Sequence, residues 1–494
     1  MEKSQVFNKL FVGGDLSGIQ RFLYNISSKK AAVSLKGRSN YLRQLMENVC
    51  ADIKRAVESN GAKAVDVIYN SGGKFYLLTD NTPKIVQAVE TCAKQAKQNL
   101  WEEHKGQLGL SISCVSFNEH PDGTIDCQDA LKQKPGYLWK LVNADFAHQK
   151  SQKFKSLLTE SYQDFFEPIP VGGKPKVCAV TGIESPDCVK MPAEDEDDEM
   201  FVLPSVYKQI QEGKKLCRID GFKSFNDYAG NTNLGILRMD VDGLGKRITE
   251  GFKSIEQYKT FSNRLKDFFE DETKKIQRES AFKPYLNIIY AGGDDLFVVG
   301  RWDKVIDFAE RIRYETKDRF SSDGISISGG IAVVQPKFPI AKAAELAGEA
   351  EDAAKRFKSN DGEEKNAFCM LGKTVSWNQE FDYVKSFKQK FVSLIKDFDL
   401  SKGILHKLML YSSIADRNKL RRKEGKAEDF SYIWHISYYL TRYMKRYESN
   451  QTVCEFCRSL RDREIDYRNG RNLELIALAA RWAELELRIK INNN

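Results

Sequence analysis

The chain has 494 residues, enough for several domains with cores of their own, and its apolar fraction of 41% and charged fraction of 30% are those of a globular protein. A formal charge of +8 permits contact with nucleic acid or nucleotide phosphates without demanding it. No apolar run approaches the roughly 18 residues that cross a bilayer, the N-terminus carries no apolar signal core, and ten scattered cysteines suit reduced thiols, so a cytoplasmic protein is expected.

In chain order, an apolar stretch, LFVGGD, ends at Asp15. A helix follows, with Leu42, Leu45, Val49, Ile53 and Val57 at helical spacing. The segments VDVIY and KFYLL around Asn70-Ser71-Gly72-Gly73 predict a hairpin, a second helix carries Ile85, Val89, Cys92, Ala96 and Leu100, and LGLSISCVSF closes the unit as a strand. From residue 160 to 230 the chain is rich in Pro, Gly and acids, with an acidic run from Glu194 to Glu199, and predicts a small linking domain.

The same order then recurs. LGILRMD ends at Asp240; a helix carries Ile255, Tyr258, Phe261, Leu265, Phe268 and Ile276; the hairpin LNIIY–AGGDD–LFVVG follows, then a helix around Val305 to Ile312 and the strand GISISGGIAVV. Each glycine turn follows its strand-end acid at a comparable distance, so the two units read as one βαββαβ unit written twice. That order predicts an α+β fold of two ferredoxin-like sheets with both helices on one face, leaving the other face open for a site. Beyond residue 376 the pattern turns helical and aromatic, as at Phe381, Val384, Phe387 and Phe391, and predicts a C-terminal helical bundle. The expected division is therefore 1–160, 161–230, 231–375 and 376–494.

The second unit holds the chemistry. Asp240 ends a strand, and Gly292-Gly293-Asp294-Asp295 turns beside it. Glycines permit positive φ and close approach of a triphosphate. Clustered carboxylates raise one another's pKa, a cost that divalent cations offset; Mg²⁺ favours a few carboxylates plus phosphate oxygens. Asp240, Asp294 and Asp295 thus predict a palm domain for two-metal nucleotidyl transfer with Mg²⁺ or Mn²⁺. In the first unit the turn reads Ser71-Gly72-Gly73-Lys74, which keeps the glycines, lacks the acids and adds a cation. It predicts a nucleotide-binding copy that cannot make the bond itself. Basic clusters at Lys29 to Arg38 and Arg417 to Lys426 are candidate RNA contacts.

The segments GDLSGIQRFLYNISSKKAAVSLKGRSNYL, YNSGGKFYLL, LRMDVDGLGK, YAGGDDLFVVG and SGGIAVVQPKFPI resemble the large subunit of type III-A (Csm-type) CRISPR effector complexes. The second unit is more distantly similar to GGDEF-type diguanylate cyclases, through Ser328-Gly329-Gly330 and Ala354-Lys355. The resemblance implies synthesis of cyclic oligoadenylates from ATP when the complex has captured target RNA, with other Csm subunits and guide RNA as partners. Asp240, Asp294 and Asp295 would hold the metals with the Val241 backbone, Gly292 and Gly293 would face the triphosphate, and Lys355 would reach phosphate oxygens. Asp15, Ser17 and Gly18, with Ser71, Gly72 and Gly73, would hold a second ATP.

Three departures stand beside it. The family's N-terminal HD nuclease domain has no counterpart here, since none of the five histidines is followed by Asp, and DNA cleavage by this chain is not expected. Cys178, Cys188 and Cys217 form at most an incomplete zinc set, and Cys454-Glu-Phe-Cys457 stands alone, so zinc is not expected either. A free-standing cyclic dinucleotide cyclase and a non-catalytic scaffold are the competing readings.

Overall fold

The computed structural model describes residues 7–26, 30–104, 106–128, 130–160, 162, 176–191, 200–221, 224–229, 232–359, 362, 364–465 and 470–489. The acidic run from Glu194 to Glu199 and the first residue of the basic cluster, Lys29, lie outside them.

The first unit comprises β1 (Lys9–Ser17), α1 (Ile19–Tyr24), α2 (Ala31–Ser59), β2 (Val65–Ser71), β3 (Lys74–Asp80), α3 (Pro83–His104), β4 (Gly109–Glu119), β5 (Ile125–Cys127), β6 (Ala130–Gln133) and α4 (Gly136–Ser151). Its sheet has the order β2-β3-β1-β4-β5-β6. A linking helix, α5 (Pro204–Asp220), crosses α2 where Gly37 and Gly213 let the two backbones touch. The second unit repeats the plan: β7 (Leu234–Asp242), α6 (Ile255–Asp267), β8 (Leu286–Gly292), β9 (Asp295–Arg301), α7 (Trp302–Phe320), β10 (Ser326–Val334), α8 (Ile340–Lys355), β11 (Ala367–Met370) and β12 (Lys373–Ser376). Its sheet order is β8-β9-β7-β10-β11-β12. The fold is thus α+β, with two six-stranded sheets and the helices that follow.

Register makes the repeat exact in its central strands. Asp15 lies opposite Lys74, which pairs with Ser71; Asp240 lies opposite Asp295, which pairs with Gly292. Gly72 therefore corresponds to Gly293, Gly73 to Asp294 and Lys74 to Asp295. Even the bulge recurs, between Val67 and Tyr69 in one hairpin and between Ile288 and Tyr290 in the other.

The central strand β7 is apolar on both faces because both are covered. Leu237, Met239 and Val241 join the core beneath α6 and α7, whereas Leu234 and Ile236 pack with Ala343, Ala344 and Ala347 of α8. This corrects the expected open face: α4 covers it in the first unit and α8 in the second. The approach is close. A Cβ on Gly13 would lie 2.6 Å from Val142, and one on Gly330 would lie 2.2 Å from the Glu351 nitrogen.

Helices Glu380–Asp397, Gly403–Lys423, Ser431–Arg446, Gln451–Ser459 and Arg471–Glu486 form the C-terminal bundle. Phe381, Val384, Phe387 and Phe391 are its buried stripe, in a core continuous with the second sheet. Cys454 donates to the carbonyls of Met444 and Tyr447, and Cys457 is buried. No described helix is long and apolar enough to cross a membrane. The first basic cluster is largely structural: Arg38 is buried and donates to the Phe22 and Asn25 carbonyls, and Lys36 donates to Asn287 Oδ1 and the Ile288 carbonyl.

Gly330→Ala should push α8 off the sheet and destabilise the chain by about 1–3 kcal/mol. Gly348→Ala, whose methyl meets only the Arg238 guanidinium and which gains helix propensity, should stay within about 1 kcal/mol of the parent. Urea denaturation followed by circular dichroism checks both; equal effects would refute the close-approach explanation.

Candidate active site

The two glycine turns meet. Gly72 and Gly293 both have left-handed φ, 61° and 71°. A Cβ on Gly72 would lie 3.1 Å from Gly293 Cα, and one on Gly293 would lie 2.8 Å from Tyr69 Oη. The Ser71 hydroxyl accepts a 2.9 Å bond from the Gly293 N–H and donates to the Glu270 carboxylate. Around this joint Trp139 packs on Tyr258 at 4.0 Å between centroids, Tyr24 on Phe297 at 4.9 Å, and Lys259 bonds Asp66 at 2.7 Å. A cleft of about 300 Å³ opens along the joint, lined by Ser71, Gly72, Gly73 and Gly292 with Lys36 and Arg43.

The acids sit beside it. Asp240 and Asp295 are opposite one another on β7 and β9, and the Val241 N–H donates 3.1 Å to the Asp294 carbonyl. The three predicted acids are therefore brought together by one strand end and one turn. Lys355, at the end of α8, is ion-paired with Asp240 and lies 3.6 Å from Glu351, one helical turn earlier. Glu351 in turn holds Arg238 at 3.1 Å. Arg238 stands two residues before Asp240, hence on the same face of β7. Asp242 is tied inward by the hydroxyls of Ser326 and Ser328, each at 2.8 Å, and by the Asn366 N–H. That leaves Asp240 as the acid of β7 that faces the turn.

Burial controls the electrostatics. It lifts the Asp295 carboxyl from 3.8 to about 6, with Arg238 opposing and Asp294 adding to the rise. Asp294 is raised by burial too, with Lys74 of the first unit opposing. Glu351 is lifted to about 7 by burial, against the pull of Arg238, and Lys355 is lowered to about 8 by burial, aided by Lys365 and Arg238. Buried acids and a buried amine all move toward their neutral forms.

The donor set suits a hard divalent cation. Asp295 Oδ1 is buried without a hydrogen-bond partner, and a cation, the Lys355 ammonium, already compensates Asp240. The described residues contain no group of three His, Cys, Asp or Glu gathered as a ready cage, and Asp240 is ion-paired with Lys355. Cys178, Cys188 and Cys217 are all buried in the apolar core.

In the first unit the counterpart of the Asp240–Lys355 pair is present: Lys150, near the end of α4, is ion-paired with Asp15. Nothing but the continuation of the repeat by one more helix signalled it. Gly18 begins α1 at φ 88°, as Gly243 begins the helix after β7 at φ 70°. Ser17 parts from the expected group: its hydroxyl donates 3.1 Å to the Gly109 carbonyl, and it lines a different cleft from Ser71, Gly72 and Gly73. Glu351, Arg238, Tyr24 and Glu270 were not foreseen at the site.

Two sheets of one design, joined turn to turn with turn carboxylates on one side only, define a double-palm protein. Family models match it in two places, Csm1 subunit domain B over residues 8–169 and the second palm domain of Cas10/Cmr2 over residues 233–369. The CRISPR system single-strand-specific deoxyribonuclease Cas10/Csm1 (subtype III-A) of Enterococcus italicus is 28% identical over 468 residues, covering 81% of this chain and 59% of the relative. Its namesake from Mycobacterium tuberculosis is 24% identical, covering 82% and 59%. The chain thus spans about three-fifths of the length of these relatives. Over most of its length it is similar to the Cas10/Csm1 proteins of subtype III-A CRISPR systems. Its fold is shared with the apo Csm1–Csm4 cassette (TM-score 0.67, 18% identity, 97% of this chain and 70% of that one). The same holds for the Csm1–Csm4 cassette in complex with cA4 (TM-score 0.63, 17% identity, 96% and 69%).

A carboxyl whose folded pKa is raised binds its proton more tightly in the folded state, so stability falls as pH rises from about 4 through 6. In buffer containing EDTA, Asp295→Asn should therefore raise the melting temperature at pH 7.5 by on the order of 3 °C. The gain should shrink toward zero at about pH 3 and below, where the parent carboxyl is protonated in both states. Differential scanning calorimetry at the two pH values reads it, and a gain independent of pH would contradict the burial argument.

Proposed function

We propose that the chain is the nucleotide-joining subunit of a type III-A CRISPR effector complex, which makes cyclic oligoadenylates from ATP when target RNA is bound. The reaction forms 3′–5′ phosphodiester bonds and releases pyrophosphate. The observation that carries this reading is the contact between the Gly72 and Gly293 turns, with acids on the second alone. Two nucleotides seated at such turns face each other across the joint, so a 3′-hydroxyl from one palm can meet an α-phosphate in the other. Csm1–Csm4 cassettes solved in complex with AMPPNP, cA3 and cA4 share the fold and support the reading. A Csm4-type subunit, guide RNA and target RNA are the corresponding partners.

Asp240, Asp294 and Asp295, with the Val241 backbone, would hold Mg²⁺ or Mn²⁺. Bound there, such ions lower the pKa of the attacking hydroxyl and stabilise the leaving pyrophosphate. Gly292, which lines the cleft, would leave room for the triphosphate, with Gly293 holding the turn beside it, and Lys355 would exchange Asp240 for a phosphate oxygen. On the first palm, Asp15 and Gly18 with Ser71, Gly72 and Gly73 would seat the second ATP, and Lys74 would face its phosphates, whereas Ser17 stands apart on another cleft. Without acids on that turn, the nucleotide there serves as acceptor or product, not as the group activated for transfer.

The assembled complex, given ATP, Mg²⁺ and target RNA, should yield cyclic oligoadenylates by mass spectrometry. Asp294→Ala/Asp295→Ala should reduce yield by about 100-fold or more, with assembly unchanged. No product from the intact, assembled complex would leave a scaffold role; a cyclic dinucleotide from the chain alone would make it a free-standing cyclase.

A further inference from the structure

The two palms differ at one sheet edge. In the second palm, β10 is flanked by β11, which runs parallel to it with Gly329, Gly330 and Ile331 beside Phe368, Cys369 and Met370. Ser111 pairs with Asp15 as Ser328 pairs with Asp240, so Ile112 to Cys114 of β4 correspond to Gly329 to Ile331. Along that stretch none of the described residues adds a strand to the first palm: β5 joins β4 only from Phe117 to Glu119.

The register shows which groups are left over. Leu16 bonds Gly73 of the β2–β3 turn, so Asp15 and its odd-numbered neighbours on β1 turn to β4. Opposite the even-numbered Leu16, Gly14 and Val12, the β4 residues Leu110, Ile112 and Cys114 direct N–H and C=O outward. Ile112 is satisfied by a side chain: its N–H donates 3.2 Å to Gln149 Oε1, and Gln149 Nε2 donates 2.7 Å back to its carbonyl. One amide thus makes the two-bond exchange that a strand residue would make. For the outward groups of Leu110 and Cys114, no protein partner is found among the described residues.

These groups open into a cavity of about 690 Å³ whose walls carry Lys97, Lys150, Lys153 and Lys155, with Glu90 the one carboxylate among its described lining residues. Lys97 and Lys153 bond carbonyl oxygens, of Gln149 and Gly106, and burial lowers both amines. We propose that this edge is a docking groove for an extended, acidic segment of a protein partner, which adds as a strand beside β4 by pairing with Leu110 and Cys114 and taking over the two bonds that the Gln149 amide makes to Ile112 between them. Main-chain pairing supplies the register and the lysines supply the charge preference. Exposed carbonyls on the edge complement a peptide and repel phosphates, which favours polypeptide over nucleic acid. The groove takes the place that β11 fills in the second palm.

Hydrogen exchange of the full chain tests it, with an acetylated alternating Glu-Val heptapeptide as probe. The Leu110 and Cys114 amides should exchange freely alone and at least tenfold more slowly with the peptide, while Gly329 to Ile331 stay unchanged. Lys155→Glu, at an exposed position, should weaken binding at least threefold, and Cys114→Pro, which removes an outward N–H, should abolish protection at the edge. If Cys114→Pro does not fold, Lys155→Glu still decides. Amides already protected without peptide would overturn the proposal. So would equal binding of a Lys-Val peptide, or protection by a single-stranded oligonucleotide in place of the peptide.

Discussion

The contact between Gly72 and Gly293 fixes the distance between the two halves, and the rest of the site is arranged around it. Any side chain at either position would enter the opposite turn, and Gly293 is further closed in by Tyr69. Ser71 completes the joint because a hydroxyl can accept from Gly293 and donate to Glu270 at once. With the turns held in contact, strand pairing alone carries Asp294, Asp295 and Asp240 to the seam. The aromatic contacts of Trp139 with Tyr258 and of Tyr24 with Phe297 flank that seam, with Trp139, Tyr258 and Phe297 buried.

What was legible in the sequence is what strand geometry makes local. A hairpin places Gly292 and Asp295 opposite each other, and the order of strands places Asp240 alongside, so acids and turn could be found from spacing and turn chemistry. The duplication was legible for the same reason. The helices over the second face were not, because α4 and α8 dock through tertiary fit at Gly13 and Gly330. Lys355 and Asp240 are 115 residues apart, and Arg238 is one charged residue among many until Glu351 comes over it. The Gly329-Gly330 pair was noticed as a family mark; its physical reason, the backbone of α8 lying on Gly330, needed the structure.

The repeat is therefore a shared frame with different contents. Where the second palm has Arg238 beneath Glu351, the first has Gly13 filled by Val142 and Phe146. Where the second has Asp294 and Asp295, the first has Gly73 and Lys74. Both keep an acid on the first strand bridged by a lysine from the covering helix, Asp15 with Lys150 and Asp240 with Lys355. The conserved pair marks what the frame needs, and the changed positions mark how the halves divide their roles.

Charge around the acidic turn follows one rule, that burial outweighs pairing. Asp295 and Glu351 are moved up toward neutral pH, and Lys355 is moved down toward it. Three groups with pKa values of about 6, 7 and 8 share one small volume, so a change of charge on any of them is felt by the others. Ionised carboxylates there require an added cation, and a free Lys355 requires an added anion. Under the proposed function a nucleotide triphosphate with its divalent ions brings both together, which lets Asp240 and Lys355 part without leaving either charge buried alone. Either ligand by itself compensates only half of the pair, and this gives a physical reason for the metal and the nucleotide to bind as one unit.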